Sequence, residues 1–255
     1  MQPDMTLSEL LFELSGSTRL YMLHTLETGP LTFTKIKKQM DLTSSEASRQ
    51  IERLTGMKLI EKVIDGGYSI TPPGRLVLSF LPGIDFVFKH RDYFLSHDTS
   101  PIPEELIMRF GDLSGAVFME GTVEIMNFMQ KRMLNAKKYH HVMSDGMIRL
   151  FIPSVVKKVG SGITFGMIFP ETFKKELSAI MEKNENVEGF MSNIRIKTLE
   201  SIQVCVGITD CGCALKLPDF NGNVDHSTML VGSNPAFCRW CRDLYKYNWE
   251  RAEPI

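Results

Sequence analysis

The chain lacks a long apolar run. Its most apolar stretch, Leu76 to Phe88, is interrupted by Pro82 and Asp85 and falls short of the roughly 20 residues a bilayer-spanning helix needs. Cysteine is also scarce: five residues in 255, all between Cys205 and Cys241. That odd, late set argues against a disulfide framework. No secretory leader is visible, because Asp4, Glu9 and Glu13 interrupt the start, so a cytoplasmic protein with no membrane partner is expected. Nor is there a surplus of positive charge. The net charge of −1 excludes blanket binding to nucleic acid, so any such affinity must come from local clusters of Lys and Arg. Internal repeats and low-complexity tracts are absent too.

What is present fits a soluble globular protein, with 43% apolar and 23% charged residues, long enough for one large domain or two ordinary ones. Leu7, Leu10, Leu11 and Leu14 recur at helical spacing behind Thr6, a candidate cap. Leu20, Leu23 and Leu26 repeat the pattern before Gly29-Pro30 ends it. Thr34 is then placed to cap a short helix carrying Lys35, Ile36, Lys37, Lys38 and Met40, and Asp41-Leu42 makes a turn. Thr43 or Ser44 caps the next helix, with Glu46 three residues after Thr43 as a capping box requires. Ala47, Ile51 and Leu54 form its apolar face, and Gly56 ends it. Leu59 to Ile64 and Tyr68 to Thr71 read as strands around a tight Asp65-Gly66-Gly67 turn.

Helix, turn, helix, hairpin is the order of a winged helix-turn-helix, whose second helix fits a DNA major groove. Opposite Ala47, Ile51 and Leu54, that helix presents Ser45, Ser48, Arg49, Glu52 and Arg53. Arg49 and Arg53 are the candidate groove contacts, supported by Ser44, Ser45 and Ser48, whose short hydroxyl side chains allow close approach. Lys35 and Lys38 on the preceding helix and Lys62 on the hairpin are candidate phosphate contacts, with Gly66 and Gly67 at the wing tip. From residue 34 to 62, seven basic residues (Lys35, Lys37, Lys38, Arg49, Arg53, Lys58, Lys62) face four acids (Asp41, Glu46, Glu52, Glu61). The bland alternative, solvated helix faces, holds for each residue singly but explains their order less well.

The run Tyr68-Ser69-Ile70-Thr71-Pro72-Pro73-Gly74 resembles the Tyr-x-Leu-Thr-x-x-Gly that ends the wing in MarR-type and ArsR-type regulators, with Ile in place of Leu. Ser96 to Leu106, running into Arg109-Phe110-Gly111-Asp112-Leu113, resembles the junction in archaeal winged-helix regulators that carry a methanogenesis-regulator-type middle domain. Asp225 before a strand, Val231-Gly232-Ser233-Asn234 and a Trp240-bearing helix extend that resemblance to the end of the chain. It implies a transcriptional regulator, a homodimer on double-stranded DNA, whose C-terminal domain has a poorly known ligand.

Pro72-Pro73 can start a long helix, Gly74 to about Leu95, bent at Pro82-Gly83. Its Leu76, Phe80, Ile84 and Phe88 suit either a dimer interface or an ordinary core. After the turn-rich stretch from Ser96 to Pro103, strands alternate with helices, which points to a mixed α/β domain. The order resembles phospholipase-D-like domains without their active site: none of His24, His90, His97, His140, His141 and His226 has Lys two residues on. His140-His141 with Asp145 could suggest acid–base work, but adjacent strand residues point to opposite faces. Cys211, Cys213, Cys238 and Cys241 supply thiolates enough for a metal or redox site, or simply fill a core. The many methionines could line a cavity for a flexible apolar effector, or again fill a core.

The expected protein is thus α+β and not an enzyme, with no cofactor. Its parts are a winged helix-turn-helix at 1–75, a linker helix and junction at 76–102, and a sensor or regulatory α/β domain at 103–255. The alternative is a metal- or redox-sensing regulator using the four cysteines.

Overall fold

The computed structural model describes residues 6–146, 158, 162–175 and 193–255. The sequence pattern predicts helices over 155–159 and 172–181, and apart from residue 158 in the first and 172–175 in the second they lie outside the described residues. The chain divides into two compact units, Met1–Pro82 and Gly83–Ile255.

The first unit packs helices α1 (Leu7–Leu14), α2 (Ser17–Glu27), α3 (Phe33–Gln39) and α4 (Ser44–Gly56) against a small sheet. That sheet joins β1 (Leu31–Thr32), β3 (Gly67–Ile70) and β2 (Ile60–Lys62) in the order β1-β3-β2. Met22, Leu23, Leu26, Ile36, Ile51, Leu54, Ile60 and Ile70 form its core. Thr6 caps α1 through a full capping box with Glu9. The cap of α3 is Thr32, not Thr34 as the sequence predicts: its hydroxyl accepts from the Lys35 amide, and the helix starts two residues earlier. Helix α5 (Pro72–Lys89) carries Pro82 inside it, and a short helix α6 (Arg91–Phe94) follows after His90.

The second unit is a mixed α/β domain built on an eight-stranded sheet. Its strands are β4 (Val117–Glu120), β5 (Tyr139–Met143), β6 (Thr164–Pro170), β7 (Ile194–Leu199), β8 (Cys205–Thr209), β9 (Gly212–Lys216), β10 (Thr228–Gly232) and β11 (Glu253–Pro254). They lie in the order β11-β7-β6-β5-β8-β9-β10-β4. Only β5, β6 and β7 run parallel; every other neighbouring pair is antiparallel. Alternation of side chains along each strand gives the sheet two packed faces. On one, α8 (Thr122–Asn135) contributes Ile125 and Met133 beside Val142, Phe165, Met167, Ala214 and Met229. On the other, the closing helix α9 (Pro235–Arg251) buries Phe237, Trp240 and Leu244 against Val206, Ile208, Cys213 and Leu215. Short helix α7 (Glu104–Ile107) is tied to α9 by Trp240, whose indole Nε1 donates to the Leu106 carbonyl at 2.8 Å.

Candidate nucleic-acid interface

Helix α4 begins at Thr43, where both halves of a capping box form: the Thr43 hydroxyl accepts from the Glu46 amide, and Glu46 accepts from the Thr43 amide at 2.9 Å. The Thr43 bonds hold the exposed Glu46 carboxyl below the usual carboxylate range. From that start, Ala47, Ile51 and Leu54 are buried, while Ser44, Ser45, Ser48, Arg49 and Glu52 are exposed. The helix is therefore two-sided in the sense the spacing predicts. Lys37 of α3 donates to the Ser44 hydroxyl at 3.1 Å, which brings a cation to the start of α4. Lys35 and Lys38 are exposed on α3, and Lys62 is exposed on β2.

The hairpin turns over Val63 to Gly67, closed by Val63 N–H to the Gly67 carbonyl at 2.9 Å and Gly66 N–H to the Val63 carbonyl at 2.9 Å. Gly66 has φ +79°, a left-handed conformation that favours glycine. Gly67 is buried rather than at an open tip, close under the Leu31 carbonyl. Ile64 stands fully exposed beside the turn.

Arg53 is placed differently from Arg49. Its Nε and Nη2 each donate to the Glu13 carboxylate at 2.8 Å, and its guanidinium lies 5.2 Å from the Phe12 ring centroid. Glu13 also pairs with the buried Arg19 at 3.0 Å. Arg19 in turn donates to the Glu13 and Phe12 carbonyls and to Gln50 Oε1. One carboxylate thus joins α1, α2 and α4, and a Cβ at Gly16 would lie 2.4 Å from the Arg19 guanidinium carbon. Sequence reading missed this network; the hint was an acid at the end of one helix and an arginine in the first turn of the next.

The Thr71-x-x-Gly74 that follows the hairpin has a plain structural reason. The Thr71 hydroxyl donates to the Lys58 carbonyl at 2.6 Å and accepts from the Gly74 amide at 3.1 Å, so it caps α5 and ties it to β2's entry. A Cβ at Gly74 would lie 2.3 Å from the Leu59 carbonyl oxygen.

In the second unit, the two stretches that carry the family resemblance meet. His97 Nε2 lies 3.1 Å from Asp225 Oδ2, and the His97 ring stacks on Tyr93 at 3.7 Å. Burial opposes the Asp225 charge, but bonds from Ser227, Thr228 and His97 outweigh it and hold its carboxyl well below the usual range. A second polar cluster joins His226 to Asp145 at 2.9 Å and to the buried Lys216 at 3.2 Å; burial lowers the pKa of that lysine. His140 and His141 point to opposite faces, as expected: the first toward Phe165, the second onto Tyr245.

Three of the four cysteines meet, the Cys213 thiol lying against those of Cys238 and Cys241, and Cys211 does not join them. Cys211 is exposed, with Sγ 3.7 Å from the Asn135 carbonyl oxygen, whereas Cys213, Cys238 and Cys241 are buried in the core under α9. Among the described residues, no group of three His, Cys, Asp or Glu side chains is placed to hold a metal ion. Met126, Met129 and Met229 do line a cavity, but it holds about 30 Å³, the space of one or two waters. Among the described residues no helix is long and apolar enough to cross a membrane.

No protein-family model matches the chain, and no curated protein matches it either. Among solved structures it is similar to TrmBL2, an archaeal chromatin protein that shows a novel mode of DNA binding. That match has 14% identity over 98% of this chain and all of TrmBL2, at a TM-score of 0.46. NucT from Helicobacter pylori aligns with 55% of this chain and 98% of its own, at 13% identity and a TM-score of 0.42. RosA from Streptomyces davawensis, a riboflavin-derivative dimethyltransferase, aligns with 75% of this chain and 63% of its own at 14% identity and a TM-score of 0.27. Further methyltransferases follow at TM-scores of 0.22–0.27. The expectation that the chain is not an enzyme is corrected by those methyltransferase matches and is withdrawn. At such scores none of these likenesses transfers a reaction or a ligand to this chain.

Proposed function

We propose that the chain is a DNA-binding transcriptional regulator whose first unit is a winged helix-turn-helix. The observation that carries this reading is the two-sided α4: a buried Ala47–Ile51–Leu54 face and an exposed face of Ser45, Ser48 and Arg49. Arg49 reads a base edge in the major groove, with Ser44, Ser45 and Ser48 letting the backbone approach. Lys35, Lys38 and Lys62 contact phosphates, and the turn at Gly66 and Gly67 brings the hairpin alongside the duplex. Arg53 takes part while anchored on Glu13, so it sets the pose of α4 as much as it contacts DNA.

On this reading residues 1–75 bind DNA, 76–102 link, and 103–255 respond to a small-molecule effector or mediate assembly in a cytoplasmic homodimer. Leu76, Phe80, Ile84 and Phe88, each at least 60% exposed and four residues apart along α5, supply an apolar stripe for a second copy. Footprinting upstream of the protein's own gene across salt concentrations tests the proposal. Arg49→Ala should weaken specific binding by about 1–3 kcal/mol, while Lys38→Ala should weaken all sequences alike and flatten the salt slope by about one phosphate. If both variants bind an operator as the parent does, or the parent binds no duplex, the reading fails.

A further inference from the structure

A second site lies on the α9 side of the large sheet, away from the residues considered so far. Register sets His141, Gly166 and Arg195 in one row across β5, β6 and β7. The glycine in the middle leaves a depression, and Tyr245 of α9 reaches into it: a Cβ at Gly166 would lie 2.6 Å from the phenol oxygen. The Tyr245 ring stacks on His141 at 5.3 Å and on Trp249 at 5.6 Å, both nearly parallel to it. Tyr245 is 8% exposed, and its hydroxyl has no hydrogen-bond partner among the described residues.

The groove around it has a volume of about 700 Å³ and is also lined by Asn193, Arg242, Asp243 and Lys246. Among the described residues its charge is mostly positive, from Arg195, Arg242 and Lys246. Asp243 is engaged by Arg109 at 2.7 Å, and Lys246 reaches Glu250 only at 3.7 Å. Arg195 and Arg242 have no ion-pair partner among the described residues. Two guanidinium groups, an ammonium and the Tyr245 hydroxyl thus line one groove, and among the described residues Asp243 is its one carboxylate. A buried donor left unpaired is costly, and arginine forks match carboxylate and phosphoryl oxygens two at a time.

We propose that this groove binds a small polyanion, a phosphorylated or polycarboxylate metabolite, whose oxygens accept from Arg195, Arg242 and the Tyr245 hydroxyl. This gives a chemical class to the effector proposed above and rests on that reading only for its regulatory meaning. Calorimetric titration of the full chain with sodium pyrophosphate, and separately with citrate, tests it at matched ionic strength and without DNA. Saturable binding of one equivalent of either anion is expected, and which one binds tells the phosphoryl source from the carboxylate source. Tyr245→Phe, which removes one hydroxyl, should weaken it roughly tenfold or more; Arg195→Gln with Arg242→Gln should abolish it. Both are surface or single-atom changes, and unchanged circular dichroism will confirm that the variants fold. Absence of saturable heat for both anions into the millimolar range, or a double variant that binds like the parent, overturns the inference. Because DNA is not in the cell, that failure is distinct from failure of the regulator reading, which is decided by footprinting alone.

Discussion

Glu13 offers the sharpest stability test. Its carboxylate is mostly buried, at 14% exposure, between Arg19 at 9% and Arg53 at 33%. Glu13→Gln keeps the shape and removes the charge. Breaking a buried pair on one side typically costs about 3–5 kcal/mol, because the surviving charge stays buried without compensation. Here Arg19 retains the Glu13 and Phe12 carbonyls and Gln50 Oε1 as acceptors, and Gln still offers one oxygen. The expected loss is therefore lower, about 2–3 kcal/mol. In a unit of this size that lowers the melting temperature by roughly 10–20 °C. Far-ultraviolet circular dichroism during heating and urea titration will read the change. Exposed pairs fade in salt whereas buried ones are screened much less, so the deficit should persist in high salt. A loss below about 1 kcal/mol, or one that vanishes in high salt, would show that Glu13 is solvated and the three-helix tie unimportant. Glu13→Leu with Arg19→Met should recover most of the loss, since an apolar replacement of a buried pair is often near neutral.

Further tests address other contacts. Gly74→Ala places a methyl group against the Leu59 carbonyl and should cost about 1–3 kcal/mol in denaturant titration through overpacking; a neutral outcome would mean that α5 can slide. Trp240→Phe removes the bond to the Leu106 carbonyl and should cost at least about 1–2 kcal/mol, read in the same way, because that carbonyl stays buried. His140, whose Nδ1 is buried without a partner, has its pKa pushed down to about 4, first by burial and then by His141 and Arg132. The unfolded chain binds that proton below its ordinary value near 6.5 while the folded chain does not, so stability is full above about 6.5 and declines as the pH falls toward 4. Since the His140 ring is only partly buried by area, the decline attributable to it is put at about 2 kcal/mol. His140→Asn should flatten the pH–stability profile over that window, and an unchanged profile would remove His140 as its cause.

Local signals made part of the fold legible. A capping box spans three residues, a helix face repeats every three to four, and a Gly-Gly turn is contiguous, so Thr43, Glu46, Ala47, Ile51, Leu54 and Asp65-Gly66-Gly67 could be placed from neighbours alone. Short apolar runs likewise predict strands over 139–143, 163–169, 195–199, 203–209, 213–217 and 228–231, within one or two residues of β5 to β10. The sequence reading placed the α3 cap at Thr34, and what moves it to Thr32 is that β1 pairs Thr32 with Gly67, a contact 35 residues away. β4 went unread because its burial does not alternate: Val117 and Glu120 are exposed while Phe118 and Met119 are half-buried, as befits an edge strand.

The sites were harder to read than the fold because their geometry is set by contacts remote in sequence. Arg49 and Arg53 look alike on a helical wheel. Only Glu13, 40 residues before Arg53, separates an arginine with its forks engaged from one exposed to solvent. The polyanion groove is more extreme, since His141, Gly166, Arg195 and Tyr245 come from three strands and a helix. No pair of them lies close enough in the chain to form a motif. Gly166 carries the argument there: in the sequence it is one glycine in an apolar strand, where a β-branched residue would be the better strand former. Its presence makes sense only once the register puts it under the Tyr245 hydroxyl. Gly166→Ala therefore probes the site through shape alone, because it adds a methyl where the phenol sits while leaving every donor intact. If the groove binds as inferred, anion affinity should fall in Gly166→Ala even though Arg195 and Arg242 are untouched. Retained affinity would mean that the arginines act alone and the buried hydroxyl is a bystander.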